Sequence, residues 1–349
     1  MSAEMCTYTT RIFSAALLIC AAFLASSAAA LAGDFYQGKT LEIIVSSGVG
    51  ADSYDTLTRL VARHIGGHLP GSPTIVVRNM PGAGGILAAN ELYNVSPRDG
   101  TVIGMLDQSI YETQLFKVAG LKADVTKMNW IGRIISNNAV LFAWHTAAVQ
   151  KIDDAYTKTL IICSTGSSSQ LRWTMLRRLL GFKFQLITGY KGTGDGLVAV
   201  ERGEVEALSM PWTVFRTIRA EWVRDRKVNV LLQTGLERAP DLPGVPRVVD
   251  LAKNDEQRQI LQLFSQAEKV GRSWTAPPGL PAERVAELRA AFMATMRDPA
   301  FLADADRMGL ALDPLPGDEL QAIIEKSFAF SPEIVAKAEA LIHNAEQGR

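Results

Sequence analysis

The stretch Ile75-Val76-Val77-Arg78-Asn79-Met80-Pro81-Gly82-Ala83-Gly84-Gly85-Ile86-Leu87-Ala88-Ala89-Asn90 leaves the backbone few options. Its β-branched run reads as a buried strand, and Met80-Pro81 stops that strand because proline lacks the N–H a ladder needs. Gly82, Gly84 and Gly85 permit positive φ and let a ligand approach the bare backbone, and Ile86-Leu87-Ala88 then starts a helix. Together these aim unpaired N–H groups and a helix dipole at one point, which suits a carboxylate or a phosphate. A tight corner without a ligand is the competing reading, since such corners are common.

The same alternation runs along the chain. Leu41–Val45 reads as a strand before the loop 46–53, with Asp52 or Ser53 capping a helix that turns Leu57, Leu60, Val61 and Ile65 to one side. Residues 101–106 return as a third strand, and 130–135 and 139–143 lead out of the unit. A second series follows: strand 160–163, the cluster Ser164-Thr165-Gly166-Ser167-Ser168-Ser169, a helix to Gly181, and strand 184–187. Then come the loop 189–194, a short helix at 197–201, and strands at 205–209 and 228–232. Pro240, Pro243 and Pro246 mark an extended link, and further helices begin at Pro281, at Asp298-Pro299 and near Gly317. Alternation of this kind predicts parallel sheets under helices, with ligands beyond the carboxyl ends of the strands. The fold expected is α/β, with two lobes around a cleft.

At 349 residues the chain accommodates two domains, and 48% apolar with 21% charged residues describes a soluble globular protein. Lys+Arg 36 against Asp+Glu 36 gives no basic excess for nucleic acid or an anionic membrane surface. Residues 1–32 read as a signal peptide: an apolar run from Ile12 to Leu24, then small residues and Ala30-Leu31-Ala32, with cleavage expected after Ala32. Its apolar core is shorter than the ~20 residues a spanning helix needs. Ile19 sits where a lipoprotein signal ending at Cys20 wants a small residue. Cleavage would leave Cys163 alone, in an apolar run that reads as a buried strand.

Chemical motifs are sparse. Nothing matches G-x-S-x-G, H-E-x-x-H or a P-loop. Gly48-Val49-Gly50-Ala51-Asp52-Ser53 half-resembles a dinucleotide fingerprint but lacks its third glycine, and the next strand ends in Arg78-Asn79 where a ribose-binding acid belongs. His64 and His68 have a metal spacing, but Gly66-Gly67 between them favours a frayed helix end. The serine cluster could hide a nucleophile, with His145 or His343 as base; a hydroxyl-rich helix start that binds an anion is simpler. Asp55 and Asp107 fall near strand ends, as caps or as a polar wall for a ligand. Trp212, with Tyr54 and Tyr190, reads as an apolar pocket floor or as core.

In combination, these residues resemble the substrate-binding receptors of tripartite tricarboxylate transporters, the Bug-type extracytoplasmic solute receptors. Asn79-Met80-Pro81-Gly82-Ala83-Gly84-Gly85 is similar to the family's N-x-P-G-A-G-G, and Asp99-Gly100-Thr101 to its D-G-[YT] turn. Tyr190-Lys191-Gly192-Thr193-Gly194 with Gly203-Glu204-Val205 is similar to Y-K-G-T-G and G-E-V. Asp241-Leu242-Pro243-Gly244-Val245-Pro246 and Ala276-Pro277-Pro278-Gly279-Leu280-Pro281 match its proline motifs. The resemblance covers nearly all of the chain after the leader. It implies a periplasmic type II-like binding protein, monomeric and without cofactor, that hands a small organic acid to membrane permease subunits. The division implied is 33–134 plus 235–349 for lobe 1 and 135–234 for lobe 2.

Carried over, carboxylate binding falls on Tyr54 and Asp55 and on Gly82, Ala83, Gly84 and Gly85, through backbone N–H groups and ordered water. Ser164, Ser167, Ser168 and Thr193 would face them from the second lobe, so that dipoles and hydroxyls, not arginine, meet the ligand's charge. Two departures bear on selectivity. Ala51-Asp52-Ser53 replaces the family's glycine run, and Gln170 stands where a histidine is frequent. A ligand-presenting sensor module and a secreted serine hydrolase are the other readings of the same pattern.

Overall fold

Short apolar runs ended by serine, proline or glycine form the first strands. The computed structural model describes residues 35–50, 53–164, 167–190, 192–310 and 312–343; the expected leader over 1–32 and Asp52 lie outside them. Thr40–Val45 (β1) gives way at Ser46-Ser47 to a loop and then to Ser53–Ala62 (α1). Thr74–Asn79 (β2) stops at Met80-Pro81 and is followed by Ile86–Asn94 (α2), and Val102–Met105 (β3) by Ser109–Leu115 (α3). β1 pairs in parallel with β2 and with β3, as the strand–helix alternation requires. Asn129–Ile135 (β4) then passes through residues 136–138 into Ala139–Trp144 (β5), which belongs to a second sheet.

That sheet is built from Leu160–Cys163 (β6), Ser167–Leu180 (α4), Phe184–Ile187 (β7), Thr193–Glu201 (α5), Ala207–Pro211 (β8), Trp212–Ile218 (α6), Ala220–Arg224 (α7) and Val228–Gln233 (β9). β8 begins two residues beyond the expected strand at 205. Past the proline link the chain forms Asp255–Val270 (α8), a 16-residue helix the sequence reading missed, and Arg272–Ala276 (β10), a strand also missed. Ala282–Thr295 (α9), Pro299–Arg307 (α10), Leu315–Pro316 (β11), Gly317–Ser327 (α11) and Pro332–His343 (α12) complete it. Among the described residues the first sheet has the order β11-β4-β10-β3-β1-β2 and the second β7-β6-β8-β5-β9. β10 runs antiparallel between β3 and β4, so Arg272 sits beside Ile135 at the end of the sheet where β1, β2 and β3 also finish.

Each sheet is covered on both faces. On the first, α1, α9 and α10 bury Leu57, Leu60, Leu288, Phe292 and Phe301 against Ile43, Met105 and Trp274. Across it, α2 and α11 bury Leu92 and Ile324 against Ile44 and Trp130. On the second, α5, α6 and α7 bury Leu197, Phe215 and Trp222 against Val140 and Phe142. Its other face takes Trp173 and Leu176 of α4, Leu261 and Phe264 of α8 and Ala338 of α12. The segment 235–349 is therefore not one addition to lobe 1. β10, α9, α10, β11 and α11 join the first sheet, whereas α8 and α12 pack on the second.

Two sequence features find plain structural roles. His64 and His68 contact Asp304 and Asp298 through their Nε2 atoms at 2.9 Å each, which ties the end of the first helical segment to α10. No group of three metal-ligating side chains occurs among the described residues. Cys163 is buried in β6, and burial pushes its thiol up to about 11, with Asp195 adding to the shift.

Candidate functional site

Four consecutive residues of the glycine loop have positive φ: Gly82 at 142°, Ala83 at 46°, Gly84 at 61° and Gly85 at 90°. Only glycine adopts such angles freely, so this run folds where three of four residues lack a Cβ, and Ala83 carries the strain. The Gly85 amide donates to the Gly82 carbonyl at 3.0 Å, and the Ile86 amide closes onto Ala83. The Ala83 and Gly84 amides have no partner among the described residues. A Cβ on Gly84 would meet nothing within 4 Å, whereas one on Gly82 would strike Leu87 and one on Gly85 would come within 3.2 Å of Asp107. Gly84 thus presents bare backbone to open space.

A closed ring of side chains holds the neighbouring loop. Asp55 Oδ2 accepts from Gly50 N at 2.7 Å and from Arg59 Nε at 3.0 Å, and its Oδ1 accepts from Asn79 Nδ2 at 2.7 Å. Asn79 also donates to the Ser47 carbonyl and accepts from Arg59 Nη2 at 2.8 Å. Burial alone would push the Asp55 carboxyl up, but the hydrogen bonds from Arg59, Asn79 and Gly50 hold it below its ordinary value. Asp107 Oδ1 accepts from Ser109 N at 2.8 Å, an Asx-type turn that leads into α3. Both aspartates shape the loops: Asp55 is engaged through both oxygens and Asp107 through one.

The loops that end β1, β2 and β3 lie together. Tyr54 Oη accepts from Gln108 N at 2.9 Å, and Ser109 Oγ reaches the Gly84 carbonyl at 3.5 Å. From the second sheet, Ser164 ends β6 with its N–H on the Ile187 carbonyl. Its hydroxyl is buried without a hydrogen-bond partner, and so is that of Ser47 at the end of β1. Buried hydroxyls are satisfied as a rule, so these two stand out, together with that of Ser265 on α8. Thr193 begins α5 after an extended Gly192. The side chains of Ser167 and Ser168 lie outside the described residues.

Trp212 departs from the others. Its Nε1 donates to both oxygens of Asp241, at 3.0 and 2.9 Å, and Arg216 Nη1 donates to the same carboxylate. It lines a cavity of about 760 Å3 at the β4–β11 half of the junction, with Arg133, Asn138, Arg216, Asp241 and Glu268. The cations there are spent: Arg133 on Asp313, Arg216 on Asp241 and Lys269 on Glu237. An anion would find no uncommitted partner among these three.

Charged residues that the sequence reading passed over meet between the lobes. Glu268 of α8 is buried and lies 2.5 Å from Arg172 of α4. Burial raises the Glu268 carboxyl, against the pull of Arg172 and Arg272. Glu112 of α3 is pushed up to about 7, chiefly by burial and further by Glu268 and Asp107, with Arg172 opposing. Glu268 falls four residues after Phe264, on the helix's apolar side, and a carboxylate in that register was the available signal. Ser47 and Arg272 carried none, because the first looks like any loop serine and the second opens the missed strand.

A family model described as the tripartite tricarboxylate transporter family receptor matches residues 57–344. The UPF0065 protein in the gbd 5' region of Cupriavidus necator is 26% identical over 296 residues, which span 80% of this chain and 81% of that protein. A TctC solute binding protein from Polaromonas superposes with a TM-score of 0.66 at 18% identity, over 88% of this chain and 99% of its own. MatC from Rhodopseudomonas palustris with bound malate superposes at 0.57 and 20% identity, over 87% and 99%. These structures share the two-lobed, type II-like fold. The chain belongs to the tripartite tricarboxylate transporter receptor family, whose members bind solutes and do not transform them.

Proposed function

We propose that this protein is a periplasmic receptor that holds a small organic acid between its lobes and delivers it to the membrane subunits of a tripartite tricarboxylate-type transporter. The observation that carries the reading is the loop 82–85, whose left-handed backbone leaves the Ala83 and Gly84 amides open beside the ends of β1 and β3. The unpaired Ser47 and Ser164 hydroxyls, one from each sheet, support it. Backbone amides and hydroxyls bind a carboxylate without a fixed counter-charge. Malate bound to the structurally similar MatC supports the choice of an acid. The chain works as a monomer, exported with cleavage near Ala32, and no helix among the described residues is long and apolar enough to cross a membrane. Tyr54, the glycine loop, Ser164, Ser167, Ser168 and Thr193 make the contacts, while Asp55 and Asp107 hold their loops in place.

Ligand bridging both sheets gives the closed state contacts that the open state lacks, so closure follows binding. Thermal unfolding of the chain from Gly33, scanned against malate, succinate, citrate, aromatic acids and neutral amides, tests this. A ligand at 100 times its Kd adds about 2.7 kcal/mol of stability. Stabilisation by acids and not by their amides is the expected result. Stabilisation by amides alone would overturn the carboxylate assignment.

A further inference from the structure

The balance of 36 basic against 36 acidic residues hides an uneven division. Residues 139–233, from β5 to β9, carry thirteen Lys and Arg against eight Asp and Glu, so the rest of the chain is acidic by the same margin. Much of the excess sits in one short stretch, where Arg219, Arg224, Arg226 and Lys227 stand against Glu221 and Asp225. All four cations are exposed except Arg219, which is half-buried.

The stretch folds as one surface at the end of the second sheet away from the lobe junction. α6 ends at Ile218 and α7 follows, and the turn after it closes back through Arg226 N on the Val223 carbonyl and Lys227 N on the Trp222 carbonyl, at 3.2 and 2.8 Å. Trp222 is buried beside Phe142 and Phe215 and so fixes α7 to the sheet. β9 then pairs Val228 with Trp144, the last residue of β5, whereas Val140 pairs with Gln233 at the opposite end, next to the crossing from β4.

Arg224 is spent on Asp225, through Nε at 2.7 Å and Nη2 at 3.2 Å. Arg219 lies over the Trp222 ring, with Cζ 5.2 Å from the centroid, and its Nη1 donates to the Ile218 carbonyl. Arg219, Arg226 and Lys227 have no ion pair among the described residues. Asp225 feels Lys227, but both its oxygens are bonded to Arg224, and Glu221 is then outnumbered by three cations. Arg226 holds φ at 51°, a left-handed backbone that glycine or asparagine takes more readily. Strain kept at an exposed cation points to a role outside the fold. Beside these charges Ile218 leaves 44% of its surface exposed.

We propose that this end of the second lobe, Ile218 to Lys227, docks on an anionic phospholipid surface. Its use to a solute receptor rests on the periplasmic reading above, while the contact itself does not involve the glycine loop. Three unpaired cations and one exposed apolar side chain suit a layer of headgroups, which needs no shape match as a protein partner would. Each such cation near an anionic bilayer contributes about 5-fold in affinity. Docked in this way, the chain keeps its lobe junction clear of the membrane.

Co-sedimentation of the chain from Gly33 with protein-free vesicles tests the proposal. Binding to phosphatidylglycerol-rich vesicles should exceed binding to phosphatidylcholine by at least about 10-fold at low salt, and should vanish near about 0.5 M salt. Arg226→Gly with Lys227→Ala removes two charges and relieves the left-handed turn, so this variant should fold, keep its acid binding and lose about 10- to 30-fold in vesicle binding. Lys122→Ala with Lys326→Ala, which removes two exposed cations of the first lobe, should change vesicle binding by less than about 3-fold. Equal binding to both lipids, no binding to either, or equal losses in the two double variants would overturn the proposal. Sedimentation with inner-membrane vesicles that carry their proteins, but not with protein-free ones, would assign the face to an acidic protein and overturn it as well. A lack of stabilisation by acids would strike the receptor reading and leave the vesicle result standing.

Discussion

Gly84 and Glu112 make opposite demands at the residue scale. Gly84→Val places a branched side chain at φ 61°, where nothing of the protein lies within 4 Å. The backbone strain costs about 1–2 kcal/mol of stability. Acid affinity should fall at least ~100-fold, since the side chain enters the space the carboxylate needs. Unchanged affinity in titration would remove the loop from the site. Glu112 is neutral in the folded chain up to about pH 7 and titrates near 4.5 when unfolded. Between those values the folded state holds the extra proton, so stability falls as pH rises through that window and levels off above it. Glu112→Gln should match the wild type at pH 4 and exceed it by on the order of 2–3 kcal/mol at pH 8 in chemical denaturation. The charged groups facing Glu112 are Arg172, Glu268 and Asp107. An ionised Glu112 makes that set more negative, so acid affinity should weaken from pH 6 to pH 8 in the wild type and much less in Glu112→Gln, as titrations at the two pH values would show.

Between elements, the ring of Asp55, Arg59 and Asn79 locks β2 to α1 and to the loop after β1. Asn79→Ala leaves Asp55 Oδ1 and Arg59 Nη2 each short of a partner. It is expected to cost about 1–3 kcal/mol in thermal unfolding, with faster amide exchange in residues 46–50. At this scale much of the fold is legible in the sequence. β-branched runs, Met80-Pro81 and the glycines place β1, β2, β3 and the left-handed loop, and Asp298 caps α10 with Pro299 as its first residue, as expected. α8 and β10 were missed for a definite reason. The prolines between 240 and 246 read as a link and hide the acidic first turn at Asp255 and Glu256 that opens a helix. Losing those elements also hid Glu268 and Arg272. Charge at a lobe junction is set by which elements meet there, a non-local fact that spacing does not encode.

For the whole molecule, the last helix belongs to the second sheet although the chain has returned to the first before reaching it. Ala338 is buried in the core shared by α4, α8 and α12. Ala338→Asp puts an unpaired charge there and should destabilise by about 3 kcal/mol or more. Hydrogen exchange should show the loss in β6 and α4 and spare β1 and β3. Equal loss in both sheets would mean that the lobes unfold as one unit.

This interleaving has a consequence for the order of synthesis. When the ribosome has made residues 1–234, the first sheet still lacks β10 and β11, and one face of the second has α4 but still lacks α8 and α12. A chain stalled at that point exposes apolar surface on both halves. Neither lobe can be made alone by cutting the gene once. The order of the elements thus keeps both cores open until the chain has been made as far as α12.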